Sequence, residues 1–461
     1  MLNEVLKICE AIRDAGGRAM LVGGIVRDRL FGYESKDYDL EVYYLEPALL
    51  RSTLESFGHV NTVGEHFAVY KLTIYVPSSE TNSKNVKIIP KSAIRNPQSA
   101  IVKKQRVEID VSIPRRESKS GRGHRGFVIT GDPHMTFAEA ARRRDFTINA
   151  IMQDPLTDEI VDPYGGVADI ENRIIRAIAA DTFIEDSLRV LRAMQIAARF
   201  EMTIAPETIA LCRTIDLSDL PHERIWGEFE KLFLRAAKPS IGLHVALELG
   251  VLEKLFPPLY ALTKNPRANE LTAFTKTQKR LDAGASQVGE LAKEKHLTLM
   301  LAALCLDLSV EQAIDVLDTL SIFTINNYDV RKQVLALVSE HQKPIQFFES
   351  REQTTDGDFR RLAGRVEMNL LYHTVKADLI AGGDKKAPAA KWFIEKVRQL
   401  DLQRGAPEPI LMGRHLREIG IQPGPQMGKL LHQVYELQLD GVVQTLEQAL
   451  EKACSILANQ K

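Results

Sequence analysis

Two aspartates, Asp37 and Asp39, stand two apart in the run DYDLEVY, interleaved with Tyr38, Leu40 and Val42. Residues two apart on a strand share a face, so these carboxylates lie close enough to hold hard cations. Left alone they repel each other, which makes a divalent ion their natural companion. Upstream, LVGGIVRDRLFG at 21–32 sets Gly23 and Gly24 between a short apolar strand and a helix. Such a turn lets backbone N–H groups at a helix start approach a phosphate, and Arg27 adds a planar cationic fork. Downstream, RVEIDVSIP sends Val107, Ile109, Val111 and Ile113 to one side and Glu108, Asp110 and Ser112 to the other. Paired beside the first strand, Asp110 becomes a third carboxylate; Glu108 shares its face and is the alternative. Three carboxylates on neighbouring strands suit two-metal phosphoryl transfer, one ion activating a hydroxyl and the other steadying a triphosphate and its leaving pyrophosphate. The expected catalytic and metal-binding set is Asp37, Asp39 and Asp110, with two Mg2+ ions.

The elements that must position these residues read as strands at 19–22, 38–43, 68–76, 106–113 and 127–129, and as helices at 25–30, 136–141 and 182–200. Beyond Pro206 the pattern keeps helical period. Residues 78–105 form a basic Ser-, Asn- and Pro-rich insertion, read as a solvated loop or an RNA-contacting arm. A polar stretch interrupted by glycine and proline, 382–409, separates a helical body from a tail.

Five blocks in order resemble the bacterial-type (class II) tRNA nucleotidyltransferase and poly(A) polymerase family, within the polymerase-β-like superfamily. They are LVGGIVRD (21–28) with DYD (37–39), RRRDFTINAI (142–151), DPYGGVADI (162–170), EDSLRVLRAMQIAARF (185–200) and HERIWGEFEK (222–231). GRHLREIGIQPGPQMGKLL (413–431) is similar to the family's C-terminal segment more loosely, with His415 where an acid is usual. The resemblance implies an α/β head with a small mixed sheet, followed by an all-α neck, body and tail. The expected division is 1–150 catalytic head, 151–255 neck with base recognition, 256–400 body and 401–461 tail. It further implies that Gly23, Gly24 and Arg27 hold triphosphate, and that Arg143, Arg144, Asp145 and Asn149 line the nucleotide pocket, the last two four apart on one helix face.

The implied reaction adds C, A or both from CTP and ATP to the 3′ end of tRNA without a template. Synthesis limited to the terminal A, or of poly(A), shares the same head, and an inactive RNA-binding protein is the alternative of another class. Asp186 and Arg189, three apart on the expected helix, supply a physical basis for selection. A carboxylate accepts the exocyclic amino group that cytosine and adenine share, while the guanidinium donates to the adjacent ring nitrogen; uracil and guanine reverse both groups. The turn at Pro163, Gly165 and Gly166 reads as a hinge. The basic, glycine-rich segment 114–127 takes the place of the family's flexible loop, which helps the pocket switch from CTP to ATP. Thr298 to Ser309 resembles a worn His-Asp phosphohydrolase motif in which Leu306 replaces the histidine, so no second metal hydrolase is expected beside Asp307.

Bulk properties narrow the remainder. With a net charge of −1, RNA binding must rely on local basic patches. Cys9, Cys212, Cys305 and Cys454 lack the spacing of a zinc site or a disulfide framework, which points to a reducing, cytoplasmic setting. The N-terminus reads as an amphipathic helix rather than a signal peptide, and no stretch is apolar enough to cross a membrane. Oligomeric state is not legible.

Overall fold

A computed structural model describes residues 2–34, 37–62, 69–77, 104–119, 127–264, 272–287 and 289–458. The chain divides into two compact units, Met1–Arg189 with Met202–Asp219, and Val190–Glu201 with Leu220–Lys461.

In the first unit the described strands are β1 (Arg18–Val22), β2 (Tyr38–Tyr43), β3 (His59–Thr62), β4 (Val69–Pro77), β5 (Lys104–Ser112), β6 (Arg115–Lys119), β7 (Phe127–Gly131), β8 (Met152–Gln153) and β9 (Ile160–Val161), with a separate parallel pair, β10 (Ile174–Ile175) and β11 (Thr203–Ile204). Seven of them build a mixed sheet in the order β3-β4-β5-β2-β1-β8-β9. Only the β2–β5 pairing is parallel; the other neighbours in this sheet run antiparallel. Alternation decides the faces. Leu21 opposite Leu40, Leu40 beside Val111 and Val111 opposite Tyr70 give one apolar face, covered by helices Leu2–Asp14 and Pro47–Glu55 through Val5, Ile8, Ile12, Leu50 and Leu54. On the other face Met20, Val22, Tyr43 and Met152 pack against Ala140 and Ala141 of helix Phe137–Arg142. That second face also carries Asp39.

The mixed head is as expected, with local departures. Around the segment 114–127, β6 and β7 pair antiparallel from Arg115↔Gly131 to Lys119↔Phe127; residues 120–126 lie outside the described residues, as does the basic insertion at 78–103. The turn read as a hinge is tightly packed. Asp162 accepts the N–H groups of Gly166 and Val167 at 2.8 and 2.9 Å, Gly165 takes φ 72°, and a Cβ on Gly166 would lie 2.2 Å from the Thr147 carbonyl oxygen. The expected continuous helix over 182–200 is two helices, Ala180–Phe183 and Leu188–Phe200. Asp186 ends the first run and starts the second, its carboxylate accepting the Leu188 N–H at 3.1 Å and its carbonyl the Arg189 N–H at 3.0 Å. Aspartate favours this capping position over a helix interior.

Among the described residues the second unit is helical apart from the two-residue strands Thr324–Ile325 and Tyr328–Asp329. Helix Lys293–Cys305 is buried from His296 through Cys305 on every side, the mark of a central helix; Ala273–Ala285, Val330–Glu340 and Met368–Ala381 pack around it. The stretch 382–409 contains helix Pro388–Gln399, begun by a proline at its first position, which corrects the expectation of a plain separator. The last helices have an apolar cluster of their own, including Leu416, Leu430, Val434 and Ala449. His415 lies three residues after Met412 and its Nδ1 accepts the Met412 N–H at 3.2 Å, the capping task an acid would perform there.

The worn His-Asp segment ends in a closed ion network. Arg280 is fully buried; its Nε donates to Asp378 at 2.8 Å and its Nη1 to the Ala303 carbonyl at 3.1 Å. Nη1 also lies 2.9 Å from Asp307, and Lys276 pairs with Asp378 at 2.9 Å. Burial pushes the Asp378 carboxyl up, but Arg280 and Lys276 outweigh it and hold it below its ordinary value. Removing one partner strands the others, so Arg280→Met should lower stability by about 3–5 kcal/mol. Urea denaturation checks this; a loss below about 1 kcal/mol would mean that Asp378 is neutralised by other means.

Candidate active site

The parallel register of β2 and β5 sets Asp39 level with Asp110 and Glu41 level with Ser112. Antiparallel β4 places Lys71 beside Asp110, its ammonium 3.8 Å from the Asp110 Oδ1. Asp37 precedes β2 and is exposed. Glu108 lies level with Thr73, one alternation away, and pairs with Arg106. Asp39 keeps access to solvent. Enough protein nevertheless surrounds its carboxyl that burial, and then the charges of Asp110 and Asp37, push it up to about 6, with Arg144 opposing. A carboxylate raised by burial and by neighbouring acids fits a hard divalent cation, and oxygen donors are the right chemistry for it. Among the described residues no three His, Cys, Asp or Glu side chains already converge as a ligand cluster, so further ligands would come from a substrate's oxygens and water.

Beside this edge, β1 ends at Val22 and Gly23 turns the chain into helix Gly24–Leu30. Gly23 has φ 73° and ψ −133°, a conformation suited to glycine. A Cβ there would also lie 3.2 Å from Arg144 Nη1, so the turn and that guanidinium share one place.

Arg27 stands at this turn, its Nη2 lying 3.4 Å from where a Cβ on Gly24 would be. It is buried, its Nε and Nη2 donating to Asp28 at 3.0 and 2.6 Å and its Nη1 to Asn149 Oδ1 at 2.7 Å. Asn149 in turn donates to Asp145 at 2.8 Å. Asp145 precedes the short helix Thr147–Ala150 rather than sharing its face, and accepts the Phe146 N–H at 2.9 Å. Asp145 and Asn149 thus do meet, through a cap, and form with Arg27 a brace behind the turn. Arg189 donates to the carbonyls of Thr182 and Arg143 at 2.8 and 2.6 Å. It is thereby tied to the segment that carries the arginines, while Asp186 stands at the helix start instead of one turn along the same face.

Residues 19–176 match the poly A polymerase head domain. This part of the chain resembles such a head. After it, residues 201–262 match the probable RNA and SrmB-binding site of polymerase A. The chain is 34% identical over 298 residues to the Multifunctional CCA protein of Xylella fastidiosa (strain 9a5c), covering 63% of this chain and 62% of that protein. It is 38% identical over 257 residues to that of Stenotrophomonas maltophilia (strain K279a), covering 54% of each. The matched region therefore spans between about half and three-fifths of these relatives' length. The whole fold resembles the Bacillus stearothermophilus CCA-adding enzyme in complex with CTP, with a TM-score of 0.65 at 20% identity over 99% of this chain and 98% of that one. The Thermotoga maritima CCA-adding enzyme complexed with tRNA aligns with a TM-score of 0.59 at 17% identity, over 98% and 94%.

One residue of the head escapes a sequence reading that follows only Asp37 and Asp39. Glu41 continues their alternation but is fully buried; it accepts from Arg143 at 2.7 Å and from the Tyr43 hydroxyl at 2.8 Å, and lies 3.5 Å from Arg144. Burial pushes its carboxyl up, yet Arg144 and Arg143 hold it below its ordinary value. The only available signal was its parity with the two aspartates.

Gly23→Ala should cost about 1–3 kcal/mol in backbone strain and also displace Arg144. Gly32→Ala, at φ 79° with no neighbour within 4 Å of the added carbon, should cost the strain alone. Thermal unfolding of both compares them; equal losses would remove the Arg144 contact from the account.

Proposed function

We propose that the chain is a template-independent tRNA nucleotidyltransferase that adds C and A from CTP and ATP to the 3′ end of tRNA, releasing pyrophosphate. The observation that carries the reading is the parallel pairing that sets Asp39 beside Asp110 at the edge where the Gly23 turn begins a helix. The relatives are CCA proteins, and fold neighbours were solved with CTP or tRNA. An enzyme that adds only the terminal A, or makes poly(A), would use the same head.

On this reading Asp37, Asp39 and Asp110 hold two Mg2+ ions, which when bound activate the 3′-hydroxyl and offset the charge of the triphosphate. Asp110 is favoured over Glu108 as the third acid because it is level with Asp39. The backbone at Gly23 and Gly24, with Arg143 and Arg144, receives the phosphates, while Arg27, Asp145 and Asn149 keep that wall in place. Asp186 and Arg189 read the base edge from a fixed start of helix Leu188–Phe200. Arg189 is preorganised for this by its two carbonyl partners, so little ordering remains at binding.

The division into head 1–150, neck 151–255, body 256–400 and tail 401–461 assigns chemistry to the first part and tRNA contact to the last two. The helical unit supports that contact with an open cleft of about 500 Å3 lined by Lys295, Lys332, Arg365 and Arg404. Lys295 is balanced by Glu367 and Arg365 by Glu340. The cleft is too open and polar to enclose a small molecule, and it suits a phosphodiester backbone. A cytoplasmic setting agrees with four cysteines that are all unpaired, and among the described residues no helix is long and apolar enough to cross a membrane.

The deciding assay supplies each NTP with magnesium to tRNA transcripts ending before CCA, after C, after CC and after CCA. Stepwise completion to CCA is expected. Extension of the CC transcript alone would reassign the enzyme to A addition, and long adenosine tracts on arbitrary RNA would make it a poly(A) polymerase. In the same assay Asp39→Asn and Asp110→Asn should each reduce transfer at least about 1000-fold, on the order of 4 kcal/mol of barrier, with tRNA binding kept. Glu108→Gln should stay close to the parent, and the reverse pattern would exchange the two acids. Combined Lys332→Ala and Arg404→Ala should weaken tRNA binding on the order of tenfold and flatten its salt dependence by about 1–2 in log–log slope. An unchanged slope would take the tRNA off this cleft.

A further inference from the structure

Glu41 is charged, fully buried and placed directly below the acids of the site on the same strand face. Nothing in two-metal chemistry requires a buried acid there. A buried charge is expensive unless it is paired and hydrogen-bonded, and this one is paired twice. Its Oε1 accepts from Arg143 Nη2 at 2.7 Å, and its Oε2 lies 3.5 Å from Arg144 Nη2 and accepts from the Tyr43 hydroxyl at 2.8 Å. Arg144 extends past it to the turn, where its Nη1 would lie 3.2 Å from a Cβ on Gly23. Its Nε is buried with no hydrogen-bond partner among the described residues, so Glu41 supplies most of what fixes this side chain from below.

Building on the nucleotidyltransferase reading above, we propose that Glu41 is a positioning residue for the triphosphate: it pins Arg144, and through it the phosphate side of the nucleotide, against the Gly23 turn. Arg144 has a competing place to go. Asp39 lies two residues before Glu41 on the same strand face, so without the acid beneath, the guanidinium would be drawn toward Asp39. There it would be lost to the phosphates and would neutralise an acid that the ions need. Glu41 keeps the anion-binding cation and the cation-binding acids separate although both lie at one sheet edge. Tyr43 takes part by donating to the carboxylate oxygen that faces Arg144, so that the acid presents a fixed rotamer.

A double-substitution cycle on nucleotide binding tests this, using Glu41→Gln, Arg144→Lys and the combination, with folding of each verified by thermal unfolding. The readout is the ratio of CTP to CMP affinity, which a loss of folded protein alone does not alter. Glu41→Gln should lower that ratio at least fivefold, and the double variant should fall within twofold of Arg144→Lys alone, because both changes act on one guanidinium. Losses that multiply in full, or an unchanged ratio in Glu41→Gln, would overturn the assignment. Should Glu41→Gln not fold, Tyr43→Phe keeps all three charges and runs the same cycle, with a smaller drop in the ratio and the same non-additivity expected. The transfer reading fails separately: a parent protein that binds CTP with this ratio but extends no tRNA transcript would sink that reading and leave the role of Glu41 in triphosphate binding standing.

Discussion

Asp39 and Asp110 face one another because β2 and β5 run parallel, in a register that leaves no other acid level with Asp39. That pairing is costly to form, since a parallel neighbour requires the chain to cross the sheet and return. Helix Pro47–Glu55 and strands β3 and β4 fill the interval. The register is held by the opposite face, where Leu40 and Val111 are level and fully buried. A slip by one residue would expose these side chains and turn both aspartates into the core. The apolar alternation therefore does more than stabilise the head: it fixes how closely like charges approach, and hence how strongly they attract a cation.

Both units contain buried ion networks, and the contrast between them separates a working site from a structural one. In the helical unit Arg280 is enclosed, and its charge is spent on Asp307 and Asp378 within the core. In the head Glu41 is the enclosed member, and its two arginines keep 24% and 17% of their side-chain surface exposed. A network whose cations keep an exposed side can meet an incoming anion; one enclosed within the core stabilises or specifies the fold. Asp307 belongs to the second kind. Arg280 and Thr277 both engage its Oδ2, which ties this carboxylate into the core and adds to the lost histidine as a reason against hydrolase chemistry there.

Much of the head was legible because its signals are local. Alternation from Tyr38 to Val42 marks β2, and the apolar half of Arg106 to Ile113 identifies β5. The glycine pair marks a real turn. What was not legible depends on partners far along the chain. That Arg27 donates to Asn149, more than a hundred residues later, could not be read from the turn itself. Asp186 and Arg189 fit helical spacing, yet the chain starts a new helix at Leu188, because a capping aspartate competes with helix propagation and spacing alone cannot say which prevails. Glu41 was the hardest to read, since a charged residue on an alternating strand is ordinarily solvent-facing and only its arginine partners reveal that it is buried.

Three successive arginines show how a single local feature distributes chemistry. Arg142 is the last residue of its helix and Arg143, the cap, keeps near-helical angles of φ −76° and ψ −10°, so the chain departs from the helix only after it. Arg142 points outward to Asp181 at 2.8 Å, Arg143 inward to Glu41, and Arg144 across to the glycine turn. Continued as helix, the three would project about 100° apart around the axis, and residues next to one another would not share a face. Ending the helix at Arg142 frees Arg143 and Arg144 to converge on one carboxylate from different directions. The helix C-terminus also favours cations in its last turn, so concentrating positive charge there costs little. The site thus rests on where a helix stops as much as on which residues it carries, and a change that prolonged this helix by one turn would dismantle the arginine pair without altering either arginine.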